Sequence, residues 1–254
     1  MRLVNNLTLP EVDTIQPMQY HNTKCVEIIP QVYQIAHRGT NIILIAGEEL
    51  TLIDTGFRGS SLRIINFIHN LGRSVADISL IIITHNHLDH ADGLAELKKL
   101  TTAKIAAHKD DITDSENQLP YPRIARKLLH LPPFSILRPL LYAKPDDIDI
   151  NLEGGEMLSL LGGLQVIHTP GHTPGSISLF FIQKKLVIVG DALNNRQNHL
   201  RFPPKFVSSD LTQTIESVKQ IAQLDFDILC FGHGKPLTKD ALTEVHDLIK
   251  KHEL

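Results

Sequence analysis

Three histidines and an aspartate occupy four of six consecutive positions in the stretch HNHLDH. His85, His87, Asp89 and His90 directly follow the aliphatic run at 80–83, which has the composition of a buried strand. Imidazole and carboxylate groups are common metal ligands, whereas hydrated decoration of a strand end would not need three imidazoles. His85 and His87 are two residues apart, so an extended or tightly turned segment can direct both to one metal ion. The stretch therefore predicts half of a metal site.

The other half is predicted further along the chain. Asp89 and His90 lie where we expect the chain to bend into a helix, within reach of a second, adjacent metal. Other donors follow three separate apolar runs through glycine or proline turns, and these are His172, Asp191 and His233. Open α/β sheets bind ligands beyond the carboxyl ends of their strands, so these donors can meet at one edge.

The elements that must position these residues are short apolar runs, rich in β-branched side chains and bounded by turn-forming residues. They predict strands at 32–36, 42–46, 50–53, 80–83, 104–107, 164–167, 177–182, 186–189 and 227–231. Helical spacing of apolar residues predicts helices at 60–71, 92–100, 210–224 and 239–251, the third with Asp210 as its N-cap. Strands that are apolar on both faces, mixed with helices, predict an α/β protein with helix-covered sheets.

Residues 116–147 differ in composition, with six prolines and several basic residues among leucines. Proline at this density is incompatible with long helices or central strands, so we expect an insertion of short helices and turns. It would lie within a single domain that spans residues 1–254. A surface cover, a substrate lid, and a membrane or partner contact are its three interpretations.

Composition limits the partners and the compartment. With 25 basic and 28 acidic residues, the formal charge of −3 disfavours nucleic acid and anionic membranes and leaves a small molecule as the expected substrate. The first residues lack the apolar segment of a secretory signal, and no apolar run reaches the 18 residues of a membrane span. Cys25 and Cys230 form no disulfide framework, so we expect a cytoplasmic protein with Cys230 buried as a small apolar side chain. A homo-oligomer is compatible with the sequence.

Five motifs, in order along the chain, resemble those of the metallo-β-lactamase superfamily of metal-dependent hydrolases. They are LIDTG at 52–56, THNHLDH at 84–90, PGHT at 170–173, GD at 190–191 and GHG at 232–234. The resemblance covers residues 30–235 and implies an αββα sandwich, in which two mixed β-sheets are flanked by helices. It also implies two metal ions per chain, usually Zn²⁺, with Mn, Fe and Co as alternatives.

The resemblance assigns a role to each matching donor. Three imidazoles would hold the first metal, three donors the second, and one carboxylate would bridge both: His85, His87 and His172; Asp89, His90 and His233; and Asp191. Asp89 would either only coordinate or also orient a hydroxide and accept its proton. Asp54 would either orient a ligand imidazole or only shape the strand-end turn. His168, separated from His172 by proline and glycine, is expected to be structural or to support a ligand.

The implied reaction is hydrolysis of a carboxylic ester, lactone or thioester by a metal-bridging hydroxide, with Asp89 and Asp191 as the catalytic carboxylates. The alternatives are phosphodiester hydrolysis at the same metals, a mononuclear iron persulfide-dioxygenase-like enzyme, and a non-catalytic domain braced by metal. Persulfide dioxygenases typically lack a ligand equivalent to His233. Acyl-homoserine lactonases carry a tyrosine at the position of Asn194, which weakens a lactonase assignment. The polar loop at 194–199 is a candidate wall of the substrate pocket.

Overall fold

A computed structural model describes residues 25–111, 131 and 148–252 of the chain. The insertion predicted at 116–147 therefore lies outside the described residues, apart from Leu131. Within the described ranges, no helix combines the length and the apolar character needed to cross a bilayer.

The first of two sheets has seven strands that are neighbours in chain order. Strands β1 to β7 are Cys25–Ile29, Val32–His37, Thr40–Ala46, Leu50–Ile53, Ile78–Ile83, Lys104–His108 and Ile150–Leu152. The strands from β1 to β4 pair antiparallel, and those from β4 to β7 pair parallel. The sheet is therefore mixed.

The second sheet has five strands. Strands β8 to β12 are Met157–Leu158, Leu164–His168, Ile177–Phe181, Leu186–Ile188 and Ile228–Cys230. Their order is β12-β11-β10-β9-β8, antiparallel except for the parallel pair β11 and β12. Helices α1 to α5 are Ser61–Asn70, Leu88–Ala91, Leu94–Leu97, Leu211–Ile221 and Ala241–His252.

Three apolar layers hold these elements together. Ile64 and Ile68 of α1 pack with buried residues of the first sheet. A second layer joins the inner faces of the two sheets, and a third joins the second sheet to Val218 of α4 and Val245 of α5. Burial on both faces explains why the strands are apolar almost throughout. The layers run helix, sheet, sheet, helix, which confirms the predicted αββα sandwich.

The predicted strands are confirmed, but the sequence did not reveal β1, β7 and β8. The Asp210 cap is confirmed, since its side chain accepts the Gln213 N–H at 3.1 Å at the start of α4. The burial of Cys230 in the layer between the sheets is also confirmed.

The helix predicted at 92–100 is shorter in the structure, where α3 spans only Leu94–Leu97 and a turn at 92–93 separates it from α2. The break falls at Gly93, where an added Cβ would lie 2.5 Å from the Thr55 carbonyl oxygen. A contact with a loop distant in sequence therefore separates α2 from α3.

Candidate metal centre

The structure brings all seven predicted donors to one edge of the sandwich. The first sheet contributes the 84–90 stretch, which follows the carboxyl end of β5 and places two of its donors on α2. The second sheet contributes His172 after β9, Asp191 after β11 and His233 after β12. The two sheets thus supply the two halves of one cluster.

Two groups of donors contain the residues that the sequence assigned to each metal, and a third group of His85, His90 and Asp191 links them. In the first group, one ligand atom each from His85, His87 and His172 lie within 4.8 Å of one another, and His172 Nε2 is 2.9 Å from His87 Nδ1. In the second, ligand atoms of Asp89, His90 and His233 meet the same limit. Each group has the size of a single-ion coordination sphere.

Asp191 lies between the two groups. Its Oδ2 is 3.6 Å from His172 Nε2 and 4.0 Å from His85 Nε2, on the side of the first group. The same oxygen is 3.1 Å from His233 Nε2, and Oδ1 is 3.5 Å from His90 Nε2, on the side of the second group. One carboxylate can therefore serve both groups at once.

Orphaned polar atoms show that this cluster fits metal ions. His85 Nε2, His90 Nε2 and Asp191 Oδ1 are buried and have no hydrogen-bond partner in the described protein. Such atoms cost roughly 1–3 kcal/mol each when left unsatisfied, so native structures rarely keep them without a reason. Imidazole and carboxylate donors suit Zn²⁺ and similar divalent ions. Gly232 keeps the space open, because an added Cβ would collide with the Asp191 carboxylate and the His90 ring.

Four imidazoles of the cluster have a partner for the nitrogen that faces away from it. Asp54 Oδ2 lies 2.8 Å from His90 Nδ1, and Gly39 O lies 2.7 Å from His233 Nδ1. Ser208 Oγ lies 3.4 Å from His172 Nδ1, while the hydroxyl of Thr84 is 3.1 Å from His85 Nδ1. Metal-binding histidines characteristically have such partners, which orient the ring.

Burial and the charges of neighbouring groups divide the histidines into two kinds. Burial and the adjacent His87 lower the pKa of His172 to about 3, so this imidazole is neutral, as a ligand must be. Burial also disfavours the charged form of His233, but the carboxylates of Asp191 and Asp89 outweigh it and raise the pKa to about 10. His233 therefore carries a proton where a metal would bind.

The pKa values of Asp89 and Asp191 shift in the direction opposite to that of His233. Burial would raise the pKa of Asp89, but the hydrogen bond from His233 and the charge of His90 outweigh it and lower the pKa to about 2. The pKa of Asp191 is also held well below its ordinary value, since His90 and His233 outweigh the effect of its burial. Both carboxylates are ionised at neutral pH.

Sequence reasoning missed Asp111, which ties together two loops of the site. Its buried carboxylate accepts the Asn86 N–H at 2.9 Å, the Thr173 hydroxyl at 2.7 Å and the Gly175 N–H at 2.6 Å. Burial raises its pKa to about 6, although these hydrogen bonds oppose the shift. The available signal was a carboxylate shortly after the apolar run at 104–107, the same pattern that marked the ligands.

His168 lies outside the cluster. Its Nε2 is 2.9 Å from Pro174 O, and its ring stacks on His108 at 4.0 Å with an interplanar angle of 12°. With Asp110 these residues form a separate group of donors. Parallel stacked rings do not direct their lone pairs to one point, so this pair is packed as a structural contact.

Comparison with known proteins identifies the family to which the chain belongs. The model of the metallo-β-lactamase superfamily matches residues 36–233. The probable metallo-hydrolase YflN of Bacillus subtilis (strain 168) is 27% identical over 205 residues, covering 75% of this chain and 77% of YflN. The hydroxyacylglutathione hydrolase GloC of Haemophilus influenzae is 29% identical over 219 residues, covering 84% of this chain and 92% of GloC. The crystal structure of the metallo-β-lactamase family protein TTHA1429 from Thermus thermophilus aligns with a TM-score of 0.69 at 23% identity, over 89% of this chain and 81% of that one.

The matched region covers most of the chain and contains all seven donors, so the chain belongs to the metallo-β-lactamase superfamily. Within that superfamily it is a metal-dependent hydrolase, the class in which its named relatives fall.

Proposed function

We propose that this enzyme hydrolyses a carboxylic ester, lactone or thioester at a dinuclear metal site, with Zn²⁺ as the metal. The position of Asp191 carries the proposal, because its carboxylate lies within 4.0 Å of two histidines from each donor group. A carboxylate shared between two adjacent sets of imidazoles suits a pair of metals better than one.

The protein would hold the first metal with His85, His87 and His172, the second with Asp89, His90 and His233, and both with Asp191. When bound, a metal pair of this kind lowers the pKa of a water molecule toward neutrality and polarises the carbonyl oxygen of the substrate.

The side chains differ in their access to solvent. Asp89 is 26% exposed, against 10% for Asp191 and 3% for Asp54. Of these three carboxylates, Asp89 is the one best placed to exchange a proton with the solvent. We therefore assign proton transfer to Asp89 in addition to coordination, and ligand orientation to Asp54.

A thioester is the favoured substrate bond. GloC is named a hydroxyacylglutathione hydrolase, a type of thioester hydrolase, and it matches this chain over most of its own length. Phosphodiester hydrolysis is the second candidate, since the same metal pair serves in-line displacement at phosphorus.

Metal analysis and a substrate panel test the proposal together. We expect close to two metal ions per chain, and turnover of at least one member of a panel with a thioester, lactones of several ring sizes, an aryl ester, a β-lactam and an activated phosphodiester. Chelated protein is the control and should be inactive until metal is restored. A reproducible single iron per chain would contradict the dinuclear hydrolase and favour the dioxygenase. Turnover of the phosphodiester alone would favour the second candidate.

A further inference from the structure

A cavity of about 1160 Å³ lies next to the metal centre, behind the His233 imidazole. The Nε2 atom of this ring faces Asp89 and Asp191, whereas Nδ1 faces the carbonyl of Gly39, which lines the cavity. Asn195, on another wall, donates its backbone N–H to the His233 carbonyl oxygen at 3.0 Å. The His233 ring therefore lies between the donor cluster and Gly39, a residue of the cavity wall.

The walls of this cavity are basic. Arg38, Arg63, Arg196 and Lys235 line it, while none of its described lining residues is an aspartate or a glutamate. None of the four forms a salt bridge with a described residue, although the chain as a whole carries a formal charge of −3. Unpaired cations around a concave surface create a positive potential that attracts anions.

The same walls contain unsatisfied polar atoms. Seven buried side-chain atoms have no hydrogen-bond partner in the described structure, and Gln34 Oε1, Arg63 Nε and Asn195 Oδ1 belong to residues lining this cavity. The amide of Gln34 donates to Gly234 O at 3.2 Å and that of Asn195 donates to Lys235 O at 2.8 Å, while both amide oxygens are buried beneath the cavity wall. Three more of the seven atoms belong to the metal centre, so the unsatisfied atoms concentrate at these two places.

We propose that this cavity binds an anionic part of the substrate, a carboxylate or phosphate group. The four cations that line the cavity would attract the anion. The scissile carbonyl bond would then lie at the metals, on the other side of His233. The inference rests on the proposed hydrolase function and adds a substrate class to it.

Matched substrates that differ in one charge test the assignment. Mono-4-nitrophenyl glutarate and 4-nitrophenyl pentanoate have acyl chains of equal length, and only the first carries a carboxylate. A second pair, the S-acetyl thioesters of 3-mercaptopropionate and propanethiol, places the charge on the leaving group. We expect a lower KM for the charged member of at least one pair at low ionic strength, with the preference shrinking in salt. Equal KM values within both pairs would overturn the assignment.

Single replacements locate the effect. Arg196→Ala and Lys235→Ala should each raise KM for the preferred charged substrate by about two- to fivefold, the range expected for one exposed ion pair, and leave its uncharged partner unaffected. Lys184→Ala is the matched control, since Lys184 is an exposed cation in the turn between β10 and β11, outside the cavity lining. A rise in KM for charged and uncharged substrates alike would contradict an anion-binding role.

Direct binding separates this inference from the proposed function. Glutarate titrated into chelated protein should bind by calorimetry, and more weakly to Arg196→Ala, because no metal is present to hold the carboxylate. In the loaded enzyme, glutarate should compete with the charged ester, and non-competitive inhibition would instead indicate an effector site and overturn the assignment. Failure of the enzyme to cleave any ester or thioester would refute the proposed function. Cleavage without a charge preference would refute only the role of the cavity.

Discussion

The Asp191 carboxylate lies within 4.0 Å of histidines from both donor groups. We expect Asp191→Ala to abolish turnover and to weaken the binding of both metals, because each donor group loses the ligand that it shares with the other. Metal content measured after dialysis against a weak chelator checks this. Asp89→Ala is the comparison variant, since it should weaken the binding of the second metal only. Unchanged activity of Asp191→Ala would refute the bridging role.

Asp54 acts on the site through His90, whose Nδ1 lies 2.8 Å from its carboxylate. The backbone of Asp54 has φ 61°, a left-handed conformation that asparagine tolerates, so Asp54→Asn removes the charge with little added strain. We expect the affinity for the second metal to fall about 10- to 100-fold, the usual cost of losing such a partner.

Cobalt substitution followed by visible spectroscopy can report the two positions of the Asp54→Asn variant separately. Binding of the first metal should weaken less, because Asp54 reaches an assigned ligand of that metal only indirectly, through the Thr84 hydroxyl beside His85 Nδ1. Equal weakening of both metals would mean that Asp54 supports the fold of the loop rather than one ligand.

At the level of elements, Asp111 joins the end of β6 to the loop between His85 and His87 and to the loop after His172. Its carboxylate accepts three hydrogen bonds, and an asparagine amide would present a donor where an acceptor is needed. We expect Asp111→Asn to lower the free energy of unfolding by about 1–3 kcal/mol. The same variant should also weaken the binding of the first metal more than that of the second.

Denaturant unfolding and metal competition measure the two effects of Asp111→Asn. Asp110→Asn is the matched control, because the Asp110 side chain is 41% exposed and makes none of these three contacts. A loss of stability without a change in the relative affinities for the two metals would show that Asp111 has a purely structural role.

The sequence predicts the metal ligands more readily than the residues that hold the ligand loops in place. Each ligand follows its own apolar run, so a local pattern predicts both the strand and the donor. The position of Asp111 after an apolar run was visible in the sequence, but its three partners and the break at Gly93 depend on loops far away in the chain. The edge strands β1 and β8 are similarly determined by pairing with a neighbour, and β8 is only two residues long.

At the level of the whole molecule, the charges of the centre link stability to pH. The pKa of His233 rises from its ordinary value of 6.5 to about 10 in the folded, metal-free protein. The folded state then binds more protons than the unfolded state, so the stabilisation is complete below about pH 6.5 and is lost as pH rises through about 10. We expect the Tm of chelated protein to fall over that range.

Bound metal should remove this dependence of Tm on pH, because a metal ion on His233 displaces the proton from its imidazole. Loaded protein should therefore show a flatter Tm profile over the same range, and metal binding near neutral pH should release protons into the buffer. Calorimetry in two buffers of different ionisation enthalpy counts those protons. A Tm of the chelated protein that stays constant or rises between about pH 6.5 and 10 would contradict the assigned charge state.

The two-sheet origin of the donors also constrains the order of folding. Contacts between residues as distant as Asp89 and His233 close a very long loop, and such contacts generally form late. A nascent chain therefore cannot complete either coordination sphere until strands from both halves have been synthesised and have packed together. Metal loading is expected to be the last step of maturation, one that locks an already assembled sandwich rather than nucleating it.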